Sequence, residues 1–409
     1  MSNAAVPGAW SRIFLPFALG YYLSYLLRTV NAVISPALTG ELELSAAQLG
    51  LLTSMYFFAF GLAQIPVGIA LDRYGPRRVE SALLLLTALG AMLFAQGDSI
   101  GSLALGRALI GLGVSACLMG ALKGFALWYP PDRQSSMTGY VMASGALGAL
   151  TASAPLEALL PLLGWRGVFW GIAAVALAAS ASLFYNLPRE ESPGGQLSLA
   201  NIVRGVADIF AAPAFLRFAG SSLFFVGGFM ALQSLWAVPW LMHVEGLSLA
   251  ETARMLLVLN LGMLTGQLSI GMFGVRLARR GVQPLRMLQV GYAGLLLVLA
   301  AILFRVGPVV VVWFLFGVLS AVNSQSYLAA ANNFPREMFG RVSTSINLMV
   351  FLGAFLVQWG IGLVLDLLRN WGWAMPEALQ FAFAVLLLLQ AFGYLPLLGK
   401  RAGKGGSRA

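Results

Sequence analysis

The stretch Gly68-Ile69-Ala70-Leu71-Asp72-Arg73-Tyr74-Gly75-Pro76-Arg77-Arg78 places one acid and three arginines between two apolar runs, 47–71 and 79–97. A short charged loop between two runs that can each cross a ~30 Å hydrocarbon core reads as the turn between two membrane-spanning helices. Its arginines put it on the cytoplasmic side, where Lys and Arg accumulate.

The same pattern continues outward in both directions. Apolar runs lie near 13–37, 101–128, 136–160 and 167–187 and, further on, near 214–243, 251–276, 285–304, 309–333, 340–367 and 377–398. At ~20 apolar residues per span, a chain of 409 residues that is 59% hydrophobic holds about twelve spans. Only 10% of residues are charged, well below the ~25% of soluble chains. Long continuous runs, in place of short alternating strands, exclude an outer-membrane barrel and place the chain in an inner, helix-bearing membrane. The run after Arg12 is too long for a cleavable signal peptide and reads as a permanent first span.

Several function classes drop out. One cysteine, Cys117, and one histidine, His243, make neither a disulfide scaffold nor a His/Cys metal cluster. No Gly-x-x-x-x-Gly-Lys-Ser/Thr loop is present to cradle nucleotide phosphates, so uphill movement would draw on a gradient. There is neither a catalytic cluster nor a repeated pore-lining charge ring, which argues against an enzyme and against a channel. No cofactor or metal is expected.

The one long polar stretch, Pro188 to Pro213, reads as a cytoplasmic linker between an N-terminal six-helix bundle (1–187) and a C-terminal one (214–409) that ends in a short basic tail. With both termini inside, 18 of the 25 basic residues fall on the cytoplasmic side and only Arg166, Arg254, Arg305 and Arg369 on the other. The net charge of +10 is thus explained by topology and anionic lipid, with no nucleic acid needed. The two halves echo each other: Leu71-Asp72-Arg73-Tyr74-Gly75 is matched by Leu277-Ala278-Arg279-Arg280-Gly281, and Trp128-Tyr129-Pro130-Pro131-Asp132-Arg133 by Asn333-Phe334-Pro335-Arg336-Glu337. Such duplication is a transporter signature.

The loop Gly68–Arg78 resembles the Gly-x-x-x-Asp-Arg-x-Gly-Arg-Arg signature of the major facilitator superfamily, in the position where that family has it. Arg107-Ala108-Leu109-Ile110-Gly111-Leu112-Gly113 resembles the family's Arg-x-x-x-Gly-x-Gly segment in the fourth span. The resemblance implies an all-α membrane protein of twelve helices in two pseudo-symmetric bundles, working by alternating access, and a monomer. Gly68, Asp72, Arg73, Gly75, Arg77 and Arg78 then form a gate. Asp72 can accept hydrogen bonds at a helix N-terminus and pair with a nearby arginine such as Arg133.

Three basic residues remain inside spans: Arg28, Arg107 and Lys123. An intramembrane charge is costly and marks a wet path or a partner. Tyr21, Ser24, Tyr25, Arg28, Asn31 and Ser35 recur at steps of three or four, forming one polar face of the first helix. Counted from Ile13, Arg28 lies about 22 Å from the cytoplasmic end, in the outer half. Arg107 lies about 9 Å deep from the outer side, at similar depth. Two guanidinium groups at one level suit a bound carboxylate or phosphate. The structural alternatives are snorkelling of Arg28 and pairing of Arg107 with backbone carbonyls. Lys123 points about 160° away from Arg107 on a straight helix and reads as a cytoplasmic-end gating residue. From the second half, Gln233, Trp236, Asn323 and Tyr327 can complete the site, although polar groups such as Asn260, Asn347 and Gln358 also join helices to each other.

The first span with its arginine, the Arg107 segment and Ala121-Leu122-Lys123-Gly124 look most like the organic anion to cation symporter branch. That implies import of a small carboxylate or phosphorylated metabolite, driven by H+ or Na+. The branch commonly has acids where this chain has Leu27 and Val114. No Asp or Glu falls at mid-membrane, which leaves Glu157, Asp366 and the titratable His243 as coupling candidates. Alternatives on the same fold are an exporter of drugs or metabolites, or an importer of an amino acid or metal chelate. The exporter reading lacks the Gly-Pro pair usual in that group's fifth span, where this chain has Gly139, Gly145 and Gly148.

Overall fold

A computed structural model describes residues 10–189, 199–335 and 338–399. Residues 190–198 of the expected linker, Arg336, and the basic tail from Lys400 onward lie outside the described residues. Every regular element among the described residues is helical: α1 (Leu15–Leu42), α2 (Ala46–Gln96), α3 (Ile100–Gly113), α4 (Cys117–Trp128), α5 (Pro131–Thr151), α6 (Ala154–Asn186), α7 (Leu199–Ala211), α8 (Pro213–Ser221), α9 (Gly227–Ala231), α10 (Ala237–His243), α11 (Leu249–Arg279), α12 (Pro284–Leu303), α13 (Val309–Ser320), α14 (Gln325–Ala331), α15 (Phe339–Asn370) and α16 (Met375–Leu398). Ten stretches of these are long and apolar enough to cross a membrane.

The 51 residues of α2 would reach about 77 Å if straight, more than twice a bilayer core. The chain turns instead at Gly75, whose φ of 77° and ψ of 162° lie outside the helical region. Glycine is required there because a Cβ opposes positive φ, and Pro76 sets the next backbone angle. The charged loop is therefore this sharp turn, and its two flanking runs are the arms of α2. Gly164 (φ 62°) bends α6 in the same way. The counterpart glycine Gly281 also adopts positive φ, 81°, between the end of α11 and the start of α12.

Several apolar runs are helices with local irregularities. Residues Val114–Ala116 separate α3 from α4, and Ala152 and Ser153 separate α5 from α6. Wider π turns at Ser222–Val226 and Leu232–Trp236 join α8, α9 and α10 into one rod, and a tighter turn at Ala321–Ser324 joins α13 to α14. The stretch read as linker contains α7, and Pro213 opens α8 at a position where proline is tolerated.

The first arm of α2 runs beside α15 over most of its length, because small residues let the backbones approach. A Cβ at Gly50 would sit 2.8 Å from the Gln358 carbonyl oxygen, and one at Gly61 would sit 3.0 Å from Cβ of Phe351. Where α2 begins, Ser45 caps it: its hydroxyl accepts from the Gln48 amide at 3.2 Å, and the Gln48 side chain accepts from the Ser45 amide at 3.0 Å.

Candidate functional site

Arg28 lies near the middle of the 33-residue helix Trp10–Leu42, because that helix extends past the apolar run at both ends. Arg28 is 7% exposed. Its guanidinium carbon stands 4.4 Å from the centre of the Tyr25 ring and 5.8 Å from each of Phe60, on α2, and Phe351, on α15. Those two phenylalanines stack on each other at 4.2 Å. Tyr21, Tyr25 and Tyr56 surround the charge. Cation–π contacts with such rings offset part of the cost of burying it. Its Nε is buried with no hydrogen-bond partner, and no carboxylate among the described residues forms an ion pair with it.

The second half of the chain reaches the same place. Tyr327 on α14 lies within electrostatic reach of Tyr25 and Arg28. Its hydroxyl donates to Asn347 Oδ1 at 2.9 Å, and the Asn347 amide donates to Gln64 Oε1 at 2.9 Å. A polar chain thus crosses from α14 through α15 to α2 beside the arginine. Tyr21 turns its hydroxyl to Met142 Sδ at 3.5 Å and stacks edge-on with Tyr25.

Arg107 is brought close to this group but stands behind it. It is fully buried, donates from Nη1 to the Leu27 carbonyl at 2.9 Å, and lies 5.1 Å from the centre of the Tyr56 ring. Its Nε and Nη2 are buried without partners. Backbone pairing, the structural alternative for this residue, is what the geometry contains. Tyr56, whose hydroxyl donates to the Ser24 carbonyl at 3.0 Å, is the wedge between the two arginines. Sequence reasoning missed Tyr56, because one tyrosine in an apolar run carries no pattern.

Other expected site residues join helices instead. Asn31 donates to Thr53 Oγ1 at 3.0 Å, and Trp236 donates to the Gln358 carbonyl at 2.9 Å. Gln233 donates to Asn260 Oδ1 at 2.6 Å, and Asn260 donates to the Ala149 carbonyl at 3.1 Å. Asn323 is 8% exposed, with a buried Oδ1 that has no partner.

At the loop, Asp72 pairs with Lys123, at 2.8 Å, whereas the sequence suggested Arg133, which is exposed. The α4 register explains the difference: Lys123 also donates to the Leu71 carbonyl at 2.7 Å, which holds its ammonium beside Asp72. Arg77 donates to the Phe184 carbonyl at 2.7 Å and covers the Phe184 ring, Arg73 lies over Tyr74, and Arg78 is exposed. Nothing lies within 4 Å of a Cβ built at Gly68.

Among the coupling candidates, His243 is exposed at the end of α10 and Glu157 is half-buried in α6. Asp366 accepts from the Ser45 hydroxyl and from the Ala46 and Ala47 amides. An acid that the sequence did not single out, Glu80, lies fully buried in the second arm of α2, five residues beyond the turn at Gly75.

Comparisons with known proteins follow the same lines. A profile of the Major Facilitator Superfamily matches residues 17–358. The chain is 26% identical over 175 residues to a probable sulfoacetate transporter, SauU, of Cupriavidus necator, covering 43% of this chain and 40% of that one. It is 22% identical over 263 residues to the hexuronate transporter of Bacillus subtilis, covering 58% and 62% respectively. In both cases the chain spans less than two thirds of the relative's length. A crystal structure of a bacterial homolog of the human lysosomal transporter Spinster, inward-facing and unoccupied, superposes with a TM-score of 0.70 at 20% identity, covering 96% of this chain and 98% of that one.

Proposed function

The chain belongs to the Major Facilitator Superfamily, and from that premise we propose that it is a secondary active importer of a small organic anion. The carrying observation is Arg28: a nearly buried guanidinium with no carboxylate partner among the described residues, ringed by aromatic groups from both halves of the chain. A buried charge left without a counter-charge is costly, and a carboxylate or phosphate on the substrate would supply the missing one. Tyr25 is placed to donate to its remaining oxygens, Tyr21 and Tyr327 can do so by releasing Met142 Sδ and Asn347 Oδ1, and Arg107 positions the Leu27–Arg28 backbone from behind. The relatives named for sulfoacetate and hexuronate carry acid substrates of that class.

In this reading the arms of α2 on either side of Gly75 are separate crossings, α5 with the short arm of α6 before Gly164 forms one crossing and the long arm after it the next, giving twelve spans in two six-helix halves, 1–187 and 214–409. Both termini are cytoplasmic in a cell inner membrane, and the protein works as a monomer coupled to H+ or Na+. The halves rock about the Arg28 level by alternating access. Asp72, Lys123 and the loop arginines order the terminal end, while Asp366 and Ser45 hold the opposite end closed.

The test is uptake into proteoliposomes of radiolabelled galacturonate and sulfoacetate, with proton and sodium gradients imposed in turn and lipophilic cations as competitors. Saturable uptake of an acid that Arg28→Ala abolishes supports the proposal. Transport of lipophilic cations alone overturns it.

A further inference from the structure

Glu80 plays no part in the anion site, yet it is the most enclosed acid among the described residues. It is 0% exposed, and among the described residues no N–H or O–H group donates to either carboxylate oxygen, which leaves the weak thiol donor of Cys117 as its polar neighbour. Its cradle is built from glycines on two other helices. A Cβ added at Gly20 on α1 would lie 2.8 Å from Glu80 Oε1, and one added at Gly120 on α4 would collide with Oε2. The thiol of Cys117, also on α4, closes the remaining side. Cys117 is the titratable group that faces Glu80 from these elements; α1 presents Gly20 and the side chain next along α2 is Leu84.

Two glycines that leave room for a carboxyl group, with a weak thiol donor beside it in place of an amide, ammonium or guanidinium, make a site shaped for a neutral acid. An ionised carboxylate without a cation or amide donor in so dry a place is strongly disfavoured, whereas the protonated form carries no net charge. The site also sits on moving parts. Lys123, one turn beyond Gly120 on α4, holds Asp72 at the end of the first arm of α2, so α4 touches both arms of α2 within one turn of its own length.

We propose that Glu80 is a proton-binding site that couples packing of α1 and α4 on α2 to proton movement. The closed packing holds the protonated carboxyl. When α1 and α4 draw away, water enters, the O–H bond breaks, and the proton passes to that water. Repacking requires the proton to return. No other atom or electron is exchanged. This deepens the transport proposal, on which it rests for its role in coupling, and it assigns the coupling ion as H+.

Two measurements on the full chain test it. Cys117 is the sole cysteine, so its labelling rate with a small methanethiosulfonate reports separation of α4 from α2 without any substrate. The ratio of labelling rates, wild type over Glu80→Gln, is expected to rise about tenfold from mildly acidic to alkaline pH, the equivalent of one pH unit of linkage. Glu80→Asp, which keeps the acid, should follow the wild type. Parallel pH profiles for wild type and Glu80→Gln would overturn the proposal. Separately, Glu80→Gln proteoliposomes should exchange galacturonate across the membrane yet fail to accumulate it against a pH gradient; normal accumulation overturns the coupling role. If wild-type vesicles move no acid at all, the anion proposal fails, and the labelling result still decides Glu80.

Discussion

Asp366 on α15 accepts a hydrogen bond from the Ser45 hydroxyl at 2.6 Å and also takes the amides of Ala46 and Ala47, at 2.9 and 3.0 Å. A carboxylate from one half of the chain thereby caps the first helical turn of a helix in the other half, where the backbone dipole favours negative charge.

Removing that cap should loosen this end. Loss of a helix cap costs about 1 to 2 kcal/mol, a factor of roughly 5 to 30 in a two-state ratio. In a Cys117→Ser background, spin labels at Glu43 and Trp373 should show a longer mean separation for Asp366→Ala than for the parent. An unchanged distance distribution would mean that the cap does not latch the halves.

Arg28→Ala is expected to reduce uptake of the transported acid roughly thirtyfold or more, the loss typical when one member of a buried charge pair is removed. Arg28→Lys should recover only part of it, since an ammonium restores charge without the two-pronged geometry. Equal uptake by all three proteins would remove the anion clamp from the mechanism.

Tyr327→Phe deletes the hydroxyl that donates to Asn347. One neutral hydrogen bond contributes about 1 kcal/mol, so KM should rise about fivefold while the thermal unfolding midpoint stays near that of the parent. A large fall in that midpoint would instead make the Tyr327–Asn347–Gln64 chain a structural tie.

Exchanging charges at the loop separates Lys123 from Arg133 as the partner of Asp72. The Lys123–Asp72 pair is partly exposed, with side chains 28% and 57% accessible, so its intrinsic worth is at most about 1 kcal/mol. Asp72→Lys alone should slow transport, and adding Lys123→Asp should restore it. The pairing of Asp72→Lys with Arg133→Asp should not; rescue by that combination would return the role to Arg133.

Gly111→Ala and Gly68→Ala should differ sharply. A Cβ at Gly111 would lie 2.9 Å from the Tyr56 Cα, in backbone that cannot yield, whereas a Cβ at Gly68 meets nothing within 4 Å. Gly111→Ala should therefore lower thermal stability by an overpacking penalty of about 1 to 3 kcal/mol. Gly68→Ala should keep it, so any transport defect there would come from helix movement and not from folding.

The charge pattern of the sequence already contained the membrane class, the loop Gly68–Arg78 and the prominence of Arg28. Those features depend on transfer of single residues and of local runs from water to hydrocarbon, which is additive along a chain. The loop Gly68–Arg78 was readable because a short charged segment between two long apolar runs belongs outside the hydrocarbon, while it is the φ of Gly75 that identifies the turning residue. Arg28 stood out because an arginine on a polar helical face amid apolar residues has no cheap local explanation.

Partners were another matter. Asp72 was given Arg133 and takes Lys123; Arg107 was set beside the substrate and bonds the Leu27 carbonyl; Glu80, inside the apolar run 79–97, was given no role and is enclosed by Gly20 and Gly120. Each of these outcomes depends on distances of a few ångströms between helices that are far apart in sequence. Electrostatic and hydrogen-bond energies change steeply over that range and with local dryness. The sequence determined which charges enter the membrane, and only the tertiary structure decided which of them have partners and which are left for a substrate or a proton.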